Sequence, residues 1–266
     1  MHAGRVSPAR REDQTRALRG ALATPTLAGV SFLMSAYVDP AEEGVGYPYT
    51  LPAVAGLADI EFAPVTVLVG DNGTGKSTIV EALAVAAGFN PEGGSRNLQF
   101  ETFATHSELA ESLVLRWAKR PRWGWFLRAE TFYGMASHIH RDNDPVSGVR
   151  ALFPDLHNRS HGESFLTLVE SRMSSEGLYF LDEPESALSF HGQLKLLHVM
   201  HLSCAEGAQF VVATHSPMLM AYPGAKIYEF DADGVASVAY DDIEAVELWR
   251  NFLTAPDRFF HHLFGS

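Results

Sequence analysis

Residues 70–77 read Gly70-Asp71-Asn72-Gly73-Thr74-Gly75-Lys76-Ser77, followed by Thr78, a full match to GxxxxGK[ST]. Closely spaced glycines let the backbone curl until successive N–H groups point inward at phosphate oxygens. A helix opening at the end of such a loop adds the partial positive charge of its N-terminus. Lys76 is then placed to bridge the β- and γ-phosphates, and the Ser77 hydroxyl to ligate Mg²⁺. The competing reading is a glycine-rich turn that happens to contain Lys-Ser. The setting argues against it, because the apolar run Val65–Val69 precedes the loop and the helix-forming stretch Ser77–Ala87 follows it. The pattern predicts a site for a nucleoside triphosphate.

Further along, Gly177-Leu178-Tyr179-Phe180-Leu181 is an apolar strand that ends in two carboxylates, Asp182 and Glu183. Alone, such an end is usually a solvated edge. Beside a phosphate loop it gains a purpose, since phosphoryl transfer is mostly positioning and charge stabilisation. Asp182 would organise the metal shell, and Glu183 would orient and polarise the attacking water.

These motifs and their surroundings resemble the head of ATP-binding-cassette (ABC) ATPases. Ser160-His161-Gly162-Glu163 looks like the signature motif at a helix start, Glu183-Pro184-Glu185 and Ser186–Ser189 like the end of Walker B and the D-loop, and Ala213-Thr214-His215-Ser216 like the switch-histidine loop. The ThrHisSerPro spelling and the Glu of the signature are closer to SMC- and RecF-like heads than to transporter subunits. The chain is most similar to small stand-alone bacterial ATPases of AAA or ABC type, from about Phe32 onward. The resemblance implies a head-to-tail homodimer with ATP held between the loop at Asn72–Thr78 of one copy and Ser160–Glu163 of the other. It implies that His215 senses the γ-phosphate, with Lys76 and Glu183 as its catalytic companions and Mg²⁺ as cofactor. His161 and Arg159 depart from the usual signature, and Gln99 is the candidate Q-loop metal contact. Tyr47 or Tyr49 is a candidate to stack on adenine, although Pro48 and Pro52 suit a structural turn equally well.

Positioning these residues needs alternating strands and helices. Expected strands cover Val30–Val38, an edge strand at Leu57–Phe62, Val65–Val69, Trp125–Phe132, Gly177–Leu181, Gln209–Ala213 and Lys226–Phe230. Expected helices cover Ser77–Ala87, Ser107–Trp117, a stretch after Gly162, Ser189–Cys204, and one or two after Asp241. Alternation of this kind predicts an α/β fold, a mostly parallel sheet with flanking helices, and the resemblance implies that it is a P-loop NTPase. Residues 1–27 are expected to be a flexible extension and 28–266 the ATPase domain, with a small lobe at about 100–160. The absence of heptads between Gln99 and Ser160 predicts no coiled-coil arm, and no stretch is left for a second enzyme domain.

Composition narrows the function classes. With 266 residues, 46% hydrophobic and 20% charged, the chain is neither disordered nor fibrous. Its formal charge of −12 disfavours unaided binding to duplex DNA. One cysteine, Cys204, excludes an internal disulfide and fits the cytoplasm. No run of 18 apolar residues predicts a membrane helix. His138, His140, Asp142 and Asp144, and the pair His198 and His201, lack the convergent spacing of a zinc site. Trp117, Trp123, Trp125 and Phe126 interleave with Arg116, Lys119, Arg120, Arg122 and Arg128. That suits single-stranded nucleic acid or a core strand flanked by solvated charges. The expected function is a Mg²⁺-dependent ATPase acting on an unknown protein partner, in DNA maintenance or defence. A transporter's ATP-binding subunit and a non-hydrolysing nucleotide-gated switch are the alternatives.

Overall fold

Strands rich in Val, Phe and Leu with no polar interruptions must be covered on both faces. The computed structural model, which describes residues 32–42, 44–55, 57, 59–91, 93–95, 108–130, 161–173 and 176–265, arranges them that way. The main sheet contains β3 (Val65–Gly70), β4 (Gly94–Ser95), β6 (Gly124–Arg128), β7 (Leu178–Asp182), β8 (Gln209–Ala213), β9 (Lys226–Asp231) and β10 (Gly234–Val238). Its order is β10-β9-β3-β8-β7-β6-β4. The four inner pairings are parallel and the two at the edges antiparallel. The α/β fold with a mostly parallel sheet is thus present.

Side chains alternate strictly between the two faces, as the pleat requires. Val65, Val67 and Val69 of β3, Tyr179 and Leu181 of β7, and Phe210 and Val212 of β8 enter one core. There they meet Phe165, Leu168, Leu196 and Met200 of α4 (His161–Arg172) and α5 (Phe190–Ala205). Leu68, Phe180 and Val211 face the other way onto Ile79, Val80 and Leu83 of α2 (Lys76–Ala86). Ser189 caps α5 by accepting from the Gly192 N–H.

A second, three-stranded antiparallel sheet flanks α2. It comprises β1 (Leu33–Val38), β2 (Ile60–Glu61) and β5 (Leu113–Trp117). The one-turn helices α1 (Pro52–Ala55) and α3 (Leu109–Ser112) lie in its connections. The helix expected at Ser107–Trp117 is therefore corrected within the described residues. Only Leu109–Ser112 is helical, and Leu113–Trp117 pairs along β1 from Val38 to Leu33. Tertiary pairing of a Leu-Val-Leu run overrides its helix propensity. Of the lobe expected at 100–160, the described segments supply β5 to this sheet and β6 to the main one. Residues 100–107 and 131–160 lie outside the described residues, as do residues 1–31.

Gln209, fully buried, joins the two sheets. Its Oε1 accepts from the Leu33 N–H at 2.8 Å, and its Nε2 donates to the carbonyls of Leu33 at 2.8 Å and Ala63 at 3.1 Å. Gln209→Met leaves those backbone groups unpaired in the interior and is expected to lower stability by about 2–3 kcal/mol. Urea unfolding, read as a lower midpoint at constant slope, checks this.

Beyond β8 come the short helix α6 (Pro217–Met220), the β9–β10 hairpin, and two C-terminal helices, α7 (Glu244–Thr254) and α8 (Pro256–Phe264). The hairpin is an addition to the sequence expectation. Its Asp231-Ala232-Asp233-Gly234 turn closes because Asp231 Oδ1 accepts from the N–H groups of Asp233 and Gly234. Among the described residues, no helix is long and apolar enough to cross a membrane.

Candidate functional site

The turn between β3 and α2 depends on glycine at two positions. Gly70 has φ +139°, and a Cβ there would fall 2.2 Å from the Phe230 carbonyl oxygen of β9. Gly75, at φ +99°, precedes α2 in the left-handed region that side chains disfavour. Thr74 Oγ1 donates to the Asp71 carbonyl at 2.8 Å and holds the loop closed. The first helical bond runs from the Ile79 N–H to the Gly75 carbonyl at 2.9 Å. The N–H groups of Lys76, Ser77 and Thr78 therefore have no partner in the helix and form an anion-binding end. Lys76 is buried, and its Nζ donates to the carbonyls of Gly70 at 2.8 Å and Asp71 at 2.7 Å. Burial holds its pKa below the ordinary lysine value, against the opposing pull of Glu183, Asp182, Asp71 and Glu185.

Two strands away in the sheet, β7 delivers its carboxylates. Asp182 is 3% exposed. Its Oδ2 accepts from Arg128 Nε at 3.0 Å, and the same guanidinium reaches Glu81 of α2 at 2.8 Å. Burial alone would lower the Arg128 pKa, but Asp182 and Glu81 outweigh it and the net shift is upward. Asp182 Oδ1 is buried with no hydrogen-bond partner among the described residues. A hard cation or its bound water suits that orphaned oxygen, so the donor set fits Mg²⁺. Glu183 has φ 47°, the one positive value at a described non-glycine residue. Its Oε1 lies 3.5 Å from His215 Nε2, which brings the histidine loop to the end of β7.

A cleft of about 410 Å³ opens over the loop. Asn72, Gly73, Gly75, Lys76, Ser77 and Thr78 line it together with Glu183, whereas Asp182 and His215 do not. Thr74 is turned into its bond with Asp71. Gly162 and Glu163, in the first turn of α4, do not line the cleft of their own chain. Ser160 and Gln99 lie outside the described residues, as does the His161 side chain. The tyrosine alternatives separate: Tyr47 is exposed on the cleft wall with its OH 3.1 Å from Thr78 Oγ1. Tyr49 points inward, 2.5 Å from Ser112 Oγ, and cannot stack on a ligand there.

Glu130 and Leu51 are the cleft residues that the sequence expectation lacks, and Glu130 is the one that carries charge. A signal for it exists: Gly124–Glu130 is a buried strand running into charged residues, as Gly177–Glu183 is, and β6 pairs in parallel with β7. Parallel neighbours bring their C-terminal ends to one crevice. The basic-aromatic run divides in the structure. Trp125 and Phe126 are core residues, Arg116 pairs with Asp59, and Lys119 pairs with Glu176. The core-strand reading therefore accounts for its second half. His198 and His201 are exposed on α5, and His138, His140, Asp142 and Asp144 lie outside the described residues.

A glycine loop between a central parallel strand and a helix, with an acidic strand end two strands away in the same sheet, defines a P-loop nucleotide-binding domain. Residues 55–114 match the family model of an AAA domain, and residues 163–221 match one described as "AAA domain, putative AbiEii toxin, Type IV TA system". Both stretches of the chain are thus similar to AAA-type domains. It is similar to the SMC head domain from Thermotoga maritima, at 17% identity over 78% of this chain and 98% of that one, with a TM-score of 0.42. It is also similar to a nucleotide-free ATP-binding cassette from an ABC transporter, at 14% identity over 85% and 96%, with a TM-score of 0.46. A second ATP-binding cassette of an ABC transporter matches at 12% identity over 82% and 99%, with a TM-score of 0.48. No curated protein matches the chain in sequence.

Proposed function

We propose that the protein is a Mg²⁺-dependent ATPase. The observation that carries this reading is the convergence of Lys76, Ser77 and Glu183 on one cleft, with the unpaired Oδ1 of Asp182 one residue before Glu183 at the strand end. The unpaired N–H groups at the start of α2 and the Lys76 ammonium bind and orient the phosphates. Ser77 and Asp182 would hold the Mg²⁺, with Gln99 as a further ligand by resemblance. Mg²⁺, when bound, neutralises charge on the phosphate oxygens. Glu183 takes the proton from the attacking water, and His215 beside it holds the γ-phosphate side of the site. Tyr47 stacks on the base.

The sandwiched homodimer belongs to the same proposal. Ser160, His161, Gly162 and Glu163 of one copy complete the site of the other, in keeping with Gly162 and Glu163 standing away from the cleft of their own chain. The opening and closing of that dimer acts on a protein partner in the cytoplasm. Defence is the setting we favour over DNA maintenance, because one of the matched models carries a toxin–antitoxin description.

Phosphate release from ATP, followed with malachite green, tests the reading. Wild type is expected to release phosphate, EDTA to stop it, and Lys76→Ala to slow it at least about tenfold. A wild type that binds ATP and releases no phosphate leaves the non-hydrolysing switch instead.

A further inference from the structure

Two side chains that the ATPase mechanism does not use tie the histidine loop to the turn after β7. Glu185 Oε1 accepts from the backbone N–H of His215 at 2.5 Å. Gln193, in the first turn of α5, accepts from Ser216 Oγ at 2.5 Å through Oε1, and its Nε2 donates to the Leu188 carbonyl at 3.4 Å. Ser216 Oγ in turn accepts from the Met218 N–H and starts α6. These bonds continue the register set by the strands, where the Glu183 N–H donates to the Ala213 carbonyl at 2.9 Å.

The spacing Glu183-Pro184-Glu185 makes this possible. The left-handed backbone at Glu183 and the single 3₁₀ turn Pro184–Ala187 send successive acidic side chains in different directions. Glu183 lines the cleft, and Glu185 folds back on the end of β8. An ionised acceptor on a backbone N–H is stronger than a neutral one. The second oxygen of Glu185 is buried and has no hydrogen-bond partner among the described residues. A group that served only to fill space would not leave such an atom inside.

We propose that Glu185 is a positioning residue that, with Gln193, latches the histidine loop to the turn after β7. The latch sets the backbone from which His215 reaches to within 3.5 Å of Glu183. It also makes the turn and the loop move together. The same 3₁₀ turn meets α4, where a Cβ on Gly162 would come 3.0 Å from the Ala187 carbonyl oxygen. The role in turnover rests on the ATPase reading; the latch as a contact does not.

Glu185→Ala, Glu185→Gln and Gln193→Ala, each checked for folding by thermal unfolding, separate the possibilities. Glu185→Ala is expected to lower kcat about tenfold or more while KM for ATP stays within about twofold, because the phosphate loop is untouched. Glu185→Gln keeps an acceptor oxygen and is expected to recover most of that loss. Hydrogen exchange at the His215 amide is expected to quicken about tenfold in Glu185→Ala and to stay slow in Glu185→Gln. Gln193→Ala is expected to speed exchange across residues 214–216 to a smaller degree. Unchanged kcat and unchanged exchange in Glu185→Ala overturn the latch, as does a KM that worsens in step with kcat. Should wild type release no phosphate, the ATPase reading fails alone. The exchange measurement then still decides the latch, and unaltered protection of His215 in Glu185→Ala sinks it.

Discussion

Glu183→Gln is expected to bind ATP as tightly as wild type, to accumulate as a dimer, and to release phosphate at least about a hundredfold more slowly. Glutamine keeps the length and one acceptor oxygen of glutamate but is no base at neutral pH. The loss therefore isolates proton transfer from shape. The backbone shows how firmly this side chain is aimed. Glu183 sits at φ 47°, a conformation that costs a non-glycine residue roughly 1–2 kcal/mol. The strain is held by the Glu183 N–H bond to Ala213, by the Ser186 N–H to the Glu183 carbonyl at 3.0 Å, and by Ser186 Oγ on the same carbonyl at 2.9 Å.

Glu183→Gly separates the two effects. It is expected to gain about 1 kcal/mol of stability, because glycine adopts this backbone freely, while turnover falls as in the glutamine variant. Single-turnover phosphate release and urea unfolding on the same three proteins decide the matter. A glutamine variant that turns over within about threefold of wild type removes Glu183 from the proton-transfer step.

The parts of this site that were legible in the sequence are those whose chemistry is local. The phosphate loop specifies itself, since glycines, lysine and hydroxyl act within one turn of chain and the helix follows directly. Asp182 and Glu183 were legible as a place, because an apolar strand that stops at two acids stands out in a chain that also carries such a loop. Glu130 and Arg128 were not, because their places come from the pairing of β6 with β7, and the charged end of the Trp125–Glu130 run becomes a signal only once that neighbour is known. The same limit explains Leu113–Trp117. Its side chains tolerate a helix, and only its pairing with β1, which lies far back in the chain, makes it a strand. Tyr47 and Tyr49 show the limit within three residues. Only the fold reveals that Ser112 and the Glu108 carbonyl take up the second hydroxyl.

Arg128→Met is expected to lower stability by about 3 kcal/mol, and Asp182→Asn in that background to restore at least half of it. Arg128 lies opposite Asp182 in the β6–β7 register and is the donor to Asp182 Oδ2. Methionine fills much of the space but leaves a carboxylate that is only 3% exposed without the guanidinium that donated to it. Removing one partner of a buried pair costs more than the pair contributed, since the remaining charge has lost its water as well. The expected loss sits at the lower end of the usual range because the Arg128 and Glu81 side chains are about one-fifth exposed, at 21% and 18%. Arg128→Lys is expected to fall between wild type and methionine. An ammonium is a point donor, and it cannot reach Asp182 and Glu81 with the fixed fork that a guanidinium offers. Urea midpoints at constant slope measure all four proteins. If Arg128→Met loses less than about 1 kcal/mol, or Asp182→Asn fails to rescue it, the guanidinium is not what compensates Asp182. A rescue carries a functional consequence. Because Arg128 occupies one oxygen of Asp182 and leaves the other unpaired, it fixes which lone pairs of that carboxylate the cleft can use. The free oxygen of Asp182 is then set partly by a strand outside the phosphate loop.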